Sequence, residues 1–471
     1  MKGISSRLAG TIALAASLAH AGPSPVQIEA RSATGSATSL PTVTAAGNAF
    51  WTGNTRFYIR GVDYQPGGSS GAAGSSGVSD PLADSAACER DIPYFKMLGI
   101  NTIRVYTVDN SANHDDCMNA LAAAGIYVAL DVNSPKYSID RDDPAPSYNA
   151  VYLQSVFATM DVFSQYTNTL LFFSGNEVIN APNNTNTAPY IKAVGRDMKT
   201  YRVSRGLRAV PIGYSAADVS TNRYQTALYM NCGTDDERSD FFAFNDYSLC
   251  DPNTYALSDW PQKVQQYGNY SLPIFMSEYG CITNTRTFEE VAALYNQMTG
   301  VYSGGLVYEY SEEGNGYGLV SIDGTSVSTK SDFAALSTQL HANPAPTGSG
   351  GARNPSGGAD SCPPNDANWE VTDFPGSLLP ALPSGAATFF KNGAGTGPGL
   401  SGNGSQDAGG GSSATASPGS GSATAYVTGA SATGTHKSAA NAITASVPMG
   451  YTAVWTMGVV FASSLFGALL L

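Results

Sequence analysis

Two patterns of apolar residues alternate between positions 41 and 345. Short, nearly continuous apolar runs have the length and composition of buried β-strands, and they lie at 57–62, 101–106, 127–131, 170–174, 209–213, 241–245, 273–276 and 305–310. Longer helix-like segments separate most of them, at 84–98, 114–124, 148–164, 188–203, 258–267 and 287–299. The chain therefore alternates strand and helix over most of its length.

This alternation limits the possible folds. Short apolar strands separated by helices imply a parallel sheet. Eight such units in about 300 residues predict an α/β fold, the (β/α)8 TIM barrel, over residues 41–345. The alternative is an open doubly wound sheet, which usually has a glycine-rich phosphate loop after its first strand. Neither G-x-G-x-x-G nor G-x-x-x-x-G-K-S/T occurs at that position.

The amino terminus has the pattern of a secretory signal peptide. Lys2 and Arg7 precede an apolar run at 8–18, and the sequence A-H-A follows at 19–21. This pattern predicts that residues 1–21 are a signal peptide, cleaved after Ala21. A membrane helix is the alternative, but the run falls short of the roughly 20 residues that a span needs. Residues 22–40 are expected to form a short leader.

The carboxyl terminus has the pattern of a GPI-attachment signal. Residues 449–471 are apolar and uncharged, and small residues at 438–440 and a spacer at 441–448 precede them. This order predicts a signal over 438–471 whose tail is exchanged for a GPI lipid. Ser438 is the preferred attachment residue, and Ala439, Ala440 and Asn441 are alternatives. A retained membrane anchor is the other interpretation.

Gly, Ser, Ala, Thr and Pro dominate the segment between the barrel and this signal. Such a composition buries too little apolar surface to offset the entropy of ordering, so we expect a flexible, disordered stalk over 391–437. Residues 346–390 differ, because Cys362, Trp369 and Phe374 lie there. We expect this stretch to pack on the barrel through Cys362.

Charge and composition restrict the partners. The net charge is −13, and an acidic chain without clustered Lys and Arg is a poor ligand for nucleic acid. Charged residues are 13% of the chain, whereas tyrosines number 26. A tyrosine ring offers an apolar face and a polar tip, which suit a sugar. A neutral polymer is therefore the favoured partner, and we expect a monomer.

Six cysteines in a secreted chain suggest disulfides, although their number alone allows 15 connectivities. None forms a C-x-x-C pair, so a zinc site is not predicted, and we expect no metal and no cofactor. N-x-S/T sequons make Asn183, Asn269 and Asn403 candidates for N-glycosylation.

Two carboxylates follow strands on opposite sides of the predicted barrel. Glu177 ends the fourth strand segment and Glu278 the seventh. Catalytic residues of such barrels lie at the carboxyl ends of strands. A retaining glycosidase needs two carboxyls about 5–5.5 Å apart, one protonated and one ionised. The alternative is that both are ordinary strand-end carboxylates at the start of loops.

Seven motifs in the same order resemble one family, the fungal GPI-anchored 1,3-β-glucanosyltransferases of glycoside hydrolase family 72. They are FYIRGVDYQPGG (57–68), LGINTIRVYTVD (98–109), YVALDVNSP (127–135), FFSGNEV (172–178), NDYSLC (245–250), MSEYGC (276–281) and GGLVYEYSEEGNGYGLV (304–320). The resemblance implies a TIM barrel with Glu177 as acid/base and Glu278 as nucleophile.

The resemblance also implies a reaction. Internal β-1,3-glucan linkages are cleaved, and the new reducing end is transferred to the non-reducing end of a second β-1,3-glucan by retaining double displacement. Donor and acceptor glucans are then the partners. Two alternatives remain, namely a hydrolytic endo-β-1,3-glucanase and a non-catalytic GPI-anchored wall scaffold.

Further site residues follow from matching positions. The resemblance implies that Asn176 holds the substrate 2-hydroxyl, that Tyr247 orients Glu278, and that Tyr106 and Tyr310 stack on or position sugars. Arg104 and Asp131 would set the charge around the glutamates, and Gln65 would touch the donor. The alternatives are a backbone-bonding amide for Asn176, core packing for the tyrosines and a structural ion pair for Arg104 and Asp131.

The resemblance implies the disulfides Cys88–Cys117, Cys232–Cys362 and Cys250–Cys281. Many family members carry a cysteine-rich carbohydrate-binding module after the barrel. Only Cys362 follows Cys281 here, so we expect the subgroup without that module. The expected location is outside the cell, anchored to the outer face of the plasma membrane, with the cell wall as the alternative location.

Overall fold

The computed structural model describes residues 39–68, 78–353 and 358–416, and the backbone of 423–424. The expected signal peptide, nearly all of the leader and the whole GPI-attachment signal with Ser438 lie outside the described residues. Most of the expected stalk beyond 416 lies outside them too.

A closed barrel of eight parallel strands forms the centre of the described chain. A three-stranded antiparallel sheet precedes it, formed by β1 (Thr44–Ala46), β2 (Ala49–Thr52) and β3 (Thr55–Phe57). The barrel strands are β4 (Ile59–Asp63), β5 (Thr102–Val105), β6 (Tyr127–Asp131), β7 (Thr169–Asn176), β8 (Ile212–Ala217), β9 (Phe241–Asn245), β10 (Ile274–Tyr279) and β11 (Tyr302–Val307). The predicted TIM barrel is confirmed.

Helices lie between the barrel strands and after them. They are α1 (Ser85–Leu98), α2 (Asp115–Ala123), α3 (Pro144–Ser147), α4 (Ala150–Phe163), α5 (Ala188–Ser204), α6 (Arg223–Asn231), α7 (Trp260–Gln266), α8 (Glu290–Ala292), α9 (Ser331–Ala342) and α10 (Ala387–Asn392). A π-helical turn, Ala293–Gln297, continues α8. Capping explains why α1 was predictable. Asp84 accepts hydrogen bonds from the first-turn amides, and Gly99 ends the helix at φ 71°.

The fifth strand begins later than expected. The sequence pattern predicts a strand at 209–213, whereas β8 spans Ile212–Ala217. The continuation past 213 consists of Tyr, Ser and Ala, which do not look like an apolar run. The shift matters because it pairs Ser215 with Asn176 of β7 at the upper rim of the barrel.

Aromatic side chains close the lower end of the barrel. Phe50 of β2 lies 6.1 Å from Phe241 and 5.9 Å from Phe275, measured between ring centroids, and it is fully buried. Phe173 packs on the same two rings. The amino-terminal three-stranded sheet therefore closes the end of the barrel at which the strands begin, and the opposite end stays open for a substrate.

The expected boundary of the flexible stalk, residue 391, is wrong for residues 391–416. The last part of α10 and the chain after it pack on the barrel. β14 (Leu379–Pro380), β15 (Thr415–Ala416) and β16 (Ala423–Thr424) form a small sheet. Earlier in the chain, β12 (Val320–Asp323) and β13 (Ser326–Thr329) form an antiparallel hairpin. Glycines permit close approach. A Cβ on Gly402 would lie 2.0 Å from the Tyr137 hydroxyl. Residues 391–416 have few apolar side chains to bury, and close backbone contacts hold them on the barrel instead.

All six cysteines are paired, as the resemblance implies: Cys88–Cys117, Cys232–Cys362 and Cys250–Cys281. The second disulfide ties the extension to α6, where the buried Trp369 packs on Tyr229 with 5.4 Å between ring centroids. Within the described part of the chain, no helix is both long and apolar enough to cross a membrane.

Candidate active site

The two glutamates lie at the carboxyl ends of β7 and β10. Glu177 directly follows β7, and Glu278 is within β10, paired with Asn245 of β9. Glu278 is 8% exposed, whereas Glu177 is half-buried. One carboxyl is therefore enclosed by the protein and the other faces the opening of the barrel.

Three donors hold the Glu278 carboxylate. The Tyr106 hydroxyl donates to Oε1 at 2.8 Å, and the Tyr247 hydroxyl donates to Oε2 at 2.7 Å. Arg104 Nη1 lies 3.2 Å from Oε1. Hydrogen bonds of this kind favour the ionised form of a carboxyl. Both oxygens are fixed, so the orientation of the group is determined before substrate arrives.

Burial raises the pKa of Glu278 to about 7. Arg104 opposes this rise, the negative charge of Glu177 adds to it, and the two tyrosine hydroxyls again lower the pKa. Enclosure of the Glu278 carboxyl by the protein is thus the main cause of its raised pKa. The bonding pattern of Glu278, rather than a low pKa, prepares it for the ionised state.

Arg104 is fully buried, and each of its three guanidinium nitrogens donates at least one hydrogen bond. Nε and Nη2 donate to the two carboxylate oxygens of Asp131, at 2.9 and 3.2 Å. The guanidinium also stacks between the rings of Tyr106 and Phe173, 4.3 and 4.4 Å from their centroids. Although burial disfavours the charge, Asp131 leads the groups that raise the pKa of Arg104. Asp131 therefore bonds Arg104, and it is Arg104 that contacts Glu278.

Glu177 has a different environment. Asn245 Nδ2 donates to its Oε1 at 2.9 Å, and no other donor within the described residues reaches the carboxyl. Its backbone φ is +49°, in the left-handed region that a residue with a Cβ seldom adopts. A carboxyl with one bonded oxygen and one free oxygen can hold a proton and present it to the cleft.

A polar network joins the two strands. Asn176 Oδ1 accepts from Ser215 Oγ at 2.8 Å and from Asn245 Nδ2 at 3.1 Å. Ser277 Oγ donates to Asn245 Oδ1 at 2.8 Å. Nothing among the described residues accepts a bond from Asn176 Nδ2, so this amide remains able to donate to a substrate. Asn245, Ser215 and Ser277 were not predicted, because only the closed barrel brings them together.

Tyr310 does not lie in this site, contrary to its predicted contact with sugars. Its ring is fully buried, 5.0 Å from Phe95 and 5.5 Å from Tyr64, and its hydroxyl donates to Asp91 at 2.9 Å. It follows the barrel strand β11 and turns away from the cleft. The alternative interpretation, core packing, is correct for this residue.

Gln65 is also placed differently from its predicted contact with the donor. Its Oε1 accepts from the amides of Tyr106 and Thr107, at 3.1 and 3.0 Å, and its Nε2 donates to the carbonyl of Ser79 at 2.7 Å. The side chain is 1% exposed. Because both ends of its amide bond the backbone, Gln65 fixes Tyr106 and does not reach a sugar.

Tyr308 and Tyr317 occupy the place expected of Tyr310. Tyr308 is partly exposed, with its ring 6.4 Å from those of Tyr106 and Tyr247, and it lies 5.2 Å from Tyr317. Four tyrosines therefore line the side of the cleft next to Glu278. Both missed tyrosines stand in the motif at 304–320, which was the available signal.

Two further acids lie beneath the cleft. Asp63 is fully buried, and its carboxyl oxygens have no hydrogen-bond partner within the described residues. Burial raises its pKa well above the ordinary range. Glu309 accepts from Asn315 Nδ2 at 2.6 Å, and burial raises its pKa to about 7. Neither Asp63 nor Glu309 bonds an oxygen of Glu278, so we assign neither of them a direct part in the site.

The model of glycoside hydrolase family 72, described as glucanosyltransferase, matches residues 32–343, most of the 471-residue chain. The chain belongs to this family. Its members include 1,3-beta-glucanosyltransferase gel1 of Aspergillus fumigatus, which is 59% identical over 362 residues, 76% of this chain and 78% of the relative. The relative GAS5 of Saccharomyces cerevisiae, also a 1,3-beta-glucanosyltransferase, is 50% identical over 388 residues, 80% and 78% of the two chains.

A solved family 72 structure has the same architecture. A mutant of Saccharomyces cerevisiae Gas2p in complex with laminaritetraose and laminaripentaose superimposes with a TM-score of 0.64 at 36% identity, over 70% of this chain and 73% of that chain. The resemblance stated from the seven motifs is therefore confirmed at the level of family and fold.

Proposed function

We propose that this family 72 chain is a 1,3-β-glucanosyltransferase that cleaves internal β-1,3-glucan linkages and transfers the new reducing end to the non-reducing end of a second β-1,3-glucan. One observation carries the proposal. Glu278 is enclosed and held by three donors, whereas the half-buried Glu177 across the barrel mouth has one. This asymmetry matches the two roles of a retaining pair.

In the first step, Glu278 attacks the anomeric carbon and Glu177 protonates the departing glycosidic oxygen. Tyr106, Tyr247 and Arg104 aim and stabilise the attacking carboxylate. Glu177 keeps one oxygen free of protein donors, and this oxygen is the one that can face the leaving group. The products are a covalent glucosyl-enzyme on Glu278 and a released reducing-end fragment.

In the second step, Glu177 acts as a base. It takes the proton from the 3-hydroxyl of an incoming glucan end, and this oxygen displaces Glu278 from the anomeric carbon. Transfer instead of hydrolysis requires that acceptor binding outcompetes water, which binding energy from remote sugars supplies. The four tyrosines of the cleft are the apolar faces on which such sugars can stack.

Smaller roles follow from the same geometry. Asn176 Nδ2 is placed to donate to the sugar 2-hydroxyl. Asp131 holds Arg104, and Arg104 holds Glu278, so both act on the nucleophile and not on the sugar. We propose that binding comes from the barrel cleft of a single chain, without a cysteine-rich module, and that no cofactor takes part.

The maturation of the chain is part of the proposal. The signal peptide directs it to the secretory route, and three disulfides suit an oxidising compartment. The three sequon residues Asn183, Asn269 and Asn403 are exposed, as glycosylation requires. A GPI lipid at Ser438 would hold the protein at the outer face of the plasma membrane, and transfer of the anchored chain to wall glucan is the alternative.

A product analysis tests the activity. A β-1,3-gluco-oligosaccharide of defined length is incubated with the full chain, and products are measured by mass. Products longer than the donor indicate transfer. Shorter products alone would establish the endo-glucanase, and no products would establish the non-catalytic scaffold. Glu278→Gln should abolish all products, whereas Glu89→Gln, at an exposed position of α1, should change nothing.

A further inference from the structure

The peptide of Glu177 is held from both sides. Its φ of +49° is disfavoured for any residue with a Cβ, and such conformations persist only where the surroundings over-determine them. Its amide donates to the Ser215 carbonyl at 2.9 Å. Its carbonyl accepts from Arg141 Nη2 at 3.0 Å. The backbone of Glu177 is therefore bonded on both sides of its side chain, on one side by an exposed arginine.

Arg141 belongs to the long loop between β6 and α4, residues 132–149. The backbone carbonyl of Arg141 accepts from Thr187 Oγ1 at 2.8 Å, which ties the loop to the segment after Glu177. Asp140 accepts from the amide of Asp142 at 2.9 Å and closes the turn that carries the arginine. Apart from the four-residue α3 and a β-bridge between Ser134 and Tyr137, the loop has no regular structure, so its shape depends on such bonds.

A distant part of the chain lies on this loop. We call residues 397–412 the strap. Ser405 donates to the Lys136 carbonyl at 2.9 Å, Lys136 Nζ donates to the Leu400 and Gly402 carbonyls at 3.0 and 3.1 Å, and Asn149 Nδ2 donates to the Ser405 carbonyl at 2.6 Å. These bonds join both ends of the loop to the strap.

The strap is glycine-rich where it touches the loop. A Cβ on Gly411 would lie 2.2 Å from the carbonyl oxygen of Ala145, a backbone atom that cannot move aside cheaply. Gly409, two residues earlier, has open space around the equivalent position. Glycine is therefore required for contact at position 411, whereas position 409 has room for a side chain.

We propose that Arg141 is a positioning residue for Glu177, and that the strap holds the Arg141 loop in the shape that this requires. The inference rests on the proposed role of Glu177 as acid/base. Loss of the Arg141 bond lets the strained peptide relax and moves the carboxyl. A misplacement of about 1 Å reduces a rate by about 10²-fold.

The test separates positioning from general damage. Arg141→Ala is made in the full chain and assayed with a β-1,3-gluco-oligosaccharide, and also with a 2,4-dinitrophenyl β-laminarioligoside in the presence of azide. Dinitrophenolate leaves without protonation, and azide attacks without a base, so this second reaction needs Glu278 but not Glu177. We expect kcat on the oligosaccharide to fall about 10²-fold and the azide reaction to be unchanged.

The comparison variants decide the outcome. Arg141→Lys keeps a donor and should lose less. Arg205→Ala removes another arginine-to-carbonyl bond, to Lys391 on the far side of the extension, and should lose nothing. An equal loss of Arg141→Ala in both reactions, or a loss in neither, overturns the proposal. Glu177→Gln must show the same rescue by azide; if it does not, the acid/base assignment itself is wrong.

The strap has its own pair of variants. Gly411→Ala should show the same selective loss, whereas Gly409→Asn, at φ 73° in open space, should match the parent protein. If Gly411→Ala does not fold, Lys136→Ala removes two strap bonds at the surface and answers the same question. Full oligosaccharide activity in the folded strap variant overturns the role of the strap.

Discussion

The hydroxyl of Tyr247 lies 2.7 Å from Oε2 of Glu278. Tyr247 follows β9 and Glu278 belongs to β10, and the disulfide Cys250–Cys281 joins the loops after these two strands. This bond is the one contact of Oε2 with a described donor, since Tyr106 and Arg104 both reach Oε1. The tyrosine thus fixes the second oxygen of Glu278 and lowers the pKa of its carboxyl.

Tyr247→Phe should shift the pH profile. The hydroxyl lowers the pKa of Glu278, so its removal raises a pKa that already stands at about 7. The reaction needs Glu278 ionised, and the acid limb of kcat/KM therefore moves to higher pH, by about one unit for a hydrogen bond to a charged group. The measurement is kcat/KM against pH. Tyr224→Phe, at a 36% exposed position on α6, should leave the profile in place.

Tyr310→Phe should lower stability and spare activity. The lost bond runs to the carboxylate of Asp91, which also pairs with Arg90, and a hydrogen bond to a charged group contributes about 1.5–3 kcal/mol to the free energy of unfolding. Asp91 keeps its bond from Tyr64 at 2.8 Å. Urea unfolding measures the loss, and kcat/KM should be unchanged. Tyr308→Ala should show the reverse pattern, and equal loss of activity in both variants would contradict the placement of Tyr310 in the core.

Glu290→Gln should stabilise the protein at alkaline pH. Glu290 is 1% exposed, its Oε2 has no partner within the described residues, and burial raises its pKa to about 8. A raised pKa means that the folded state keeps a proton that the unfolded chain releases. The stability contribution is complete below the ordinary pKa of 4.5 and is lost as pH rises to about 8.

The glutamine variant lacks this loss. Its free energy of unfolding relative to the parent should therefore rise from pH 4 to pH 8, by ~4 kcal/mol from a shift of this size. Thermal or urea unfolding at the two pH values measures the difference. Glu289→Gln, at the exposed neighbouring position, is the control and should show no such change.

Phe50→Ala should weaken the barrel without altering its chemistry. The ring fills the lower end of the barrel against Phe241 and Phe275, and Phe275 precedes Glu278 by three residues on β10. Truncation of a buried phenylalanine costs about 3–5 kcal/mol. The unfolding midpoint should fall, while kcat/KM measured well below that midpoint stays the same. A matching fall in kcat/KM would show that the plug also shapes the cleft.

Local patterns predicted much of the fold. All eight barrel strands were expected, because a strand buried on both faces must be a short apolar run between helices. The sequence analysis did not predict the three-stranded sheet before the barrel or the helices α6 and α9. Their sequences mix polar and apolar residues, and only contact with the barrel gives them a buried side.

The site residues that lie at the ends of strands were predictable from the sequence. Glu177, Glu278 and Asn176 follow apolar strands, and the closure of a barrel brings such positions to one rim. The direction of a loop side chain is a different matter. Tyr308 and Tyr310 are two residues apart in one motif, yet one faces the cleft and the other is buried against Phe95.

The amino-acid sequence by itself predicted the barrel, because strand periodicity acts locally and can be recognised one segment at a time. Its motifs indicated the family and, through that resemblance, the proposed roles of Glu177 and Glu278. Tertiary structure decided which tyrosines face the cleft, that Gln65 braces Tyr106, and that glycine-rich residues 391–416 pack on the barrel. These depend on what lies opposite in space. Gly411 has the composition of a linker in the sequence. In the structure it is required for contact, because a Cβ there would lie 2.2 Å from the carbonyl oxygen of Ala145.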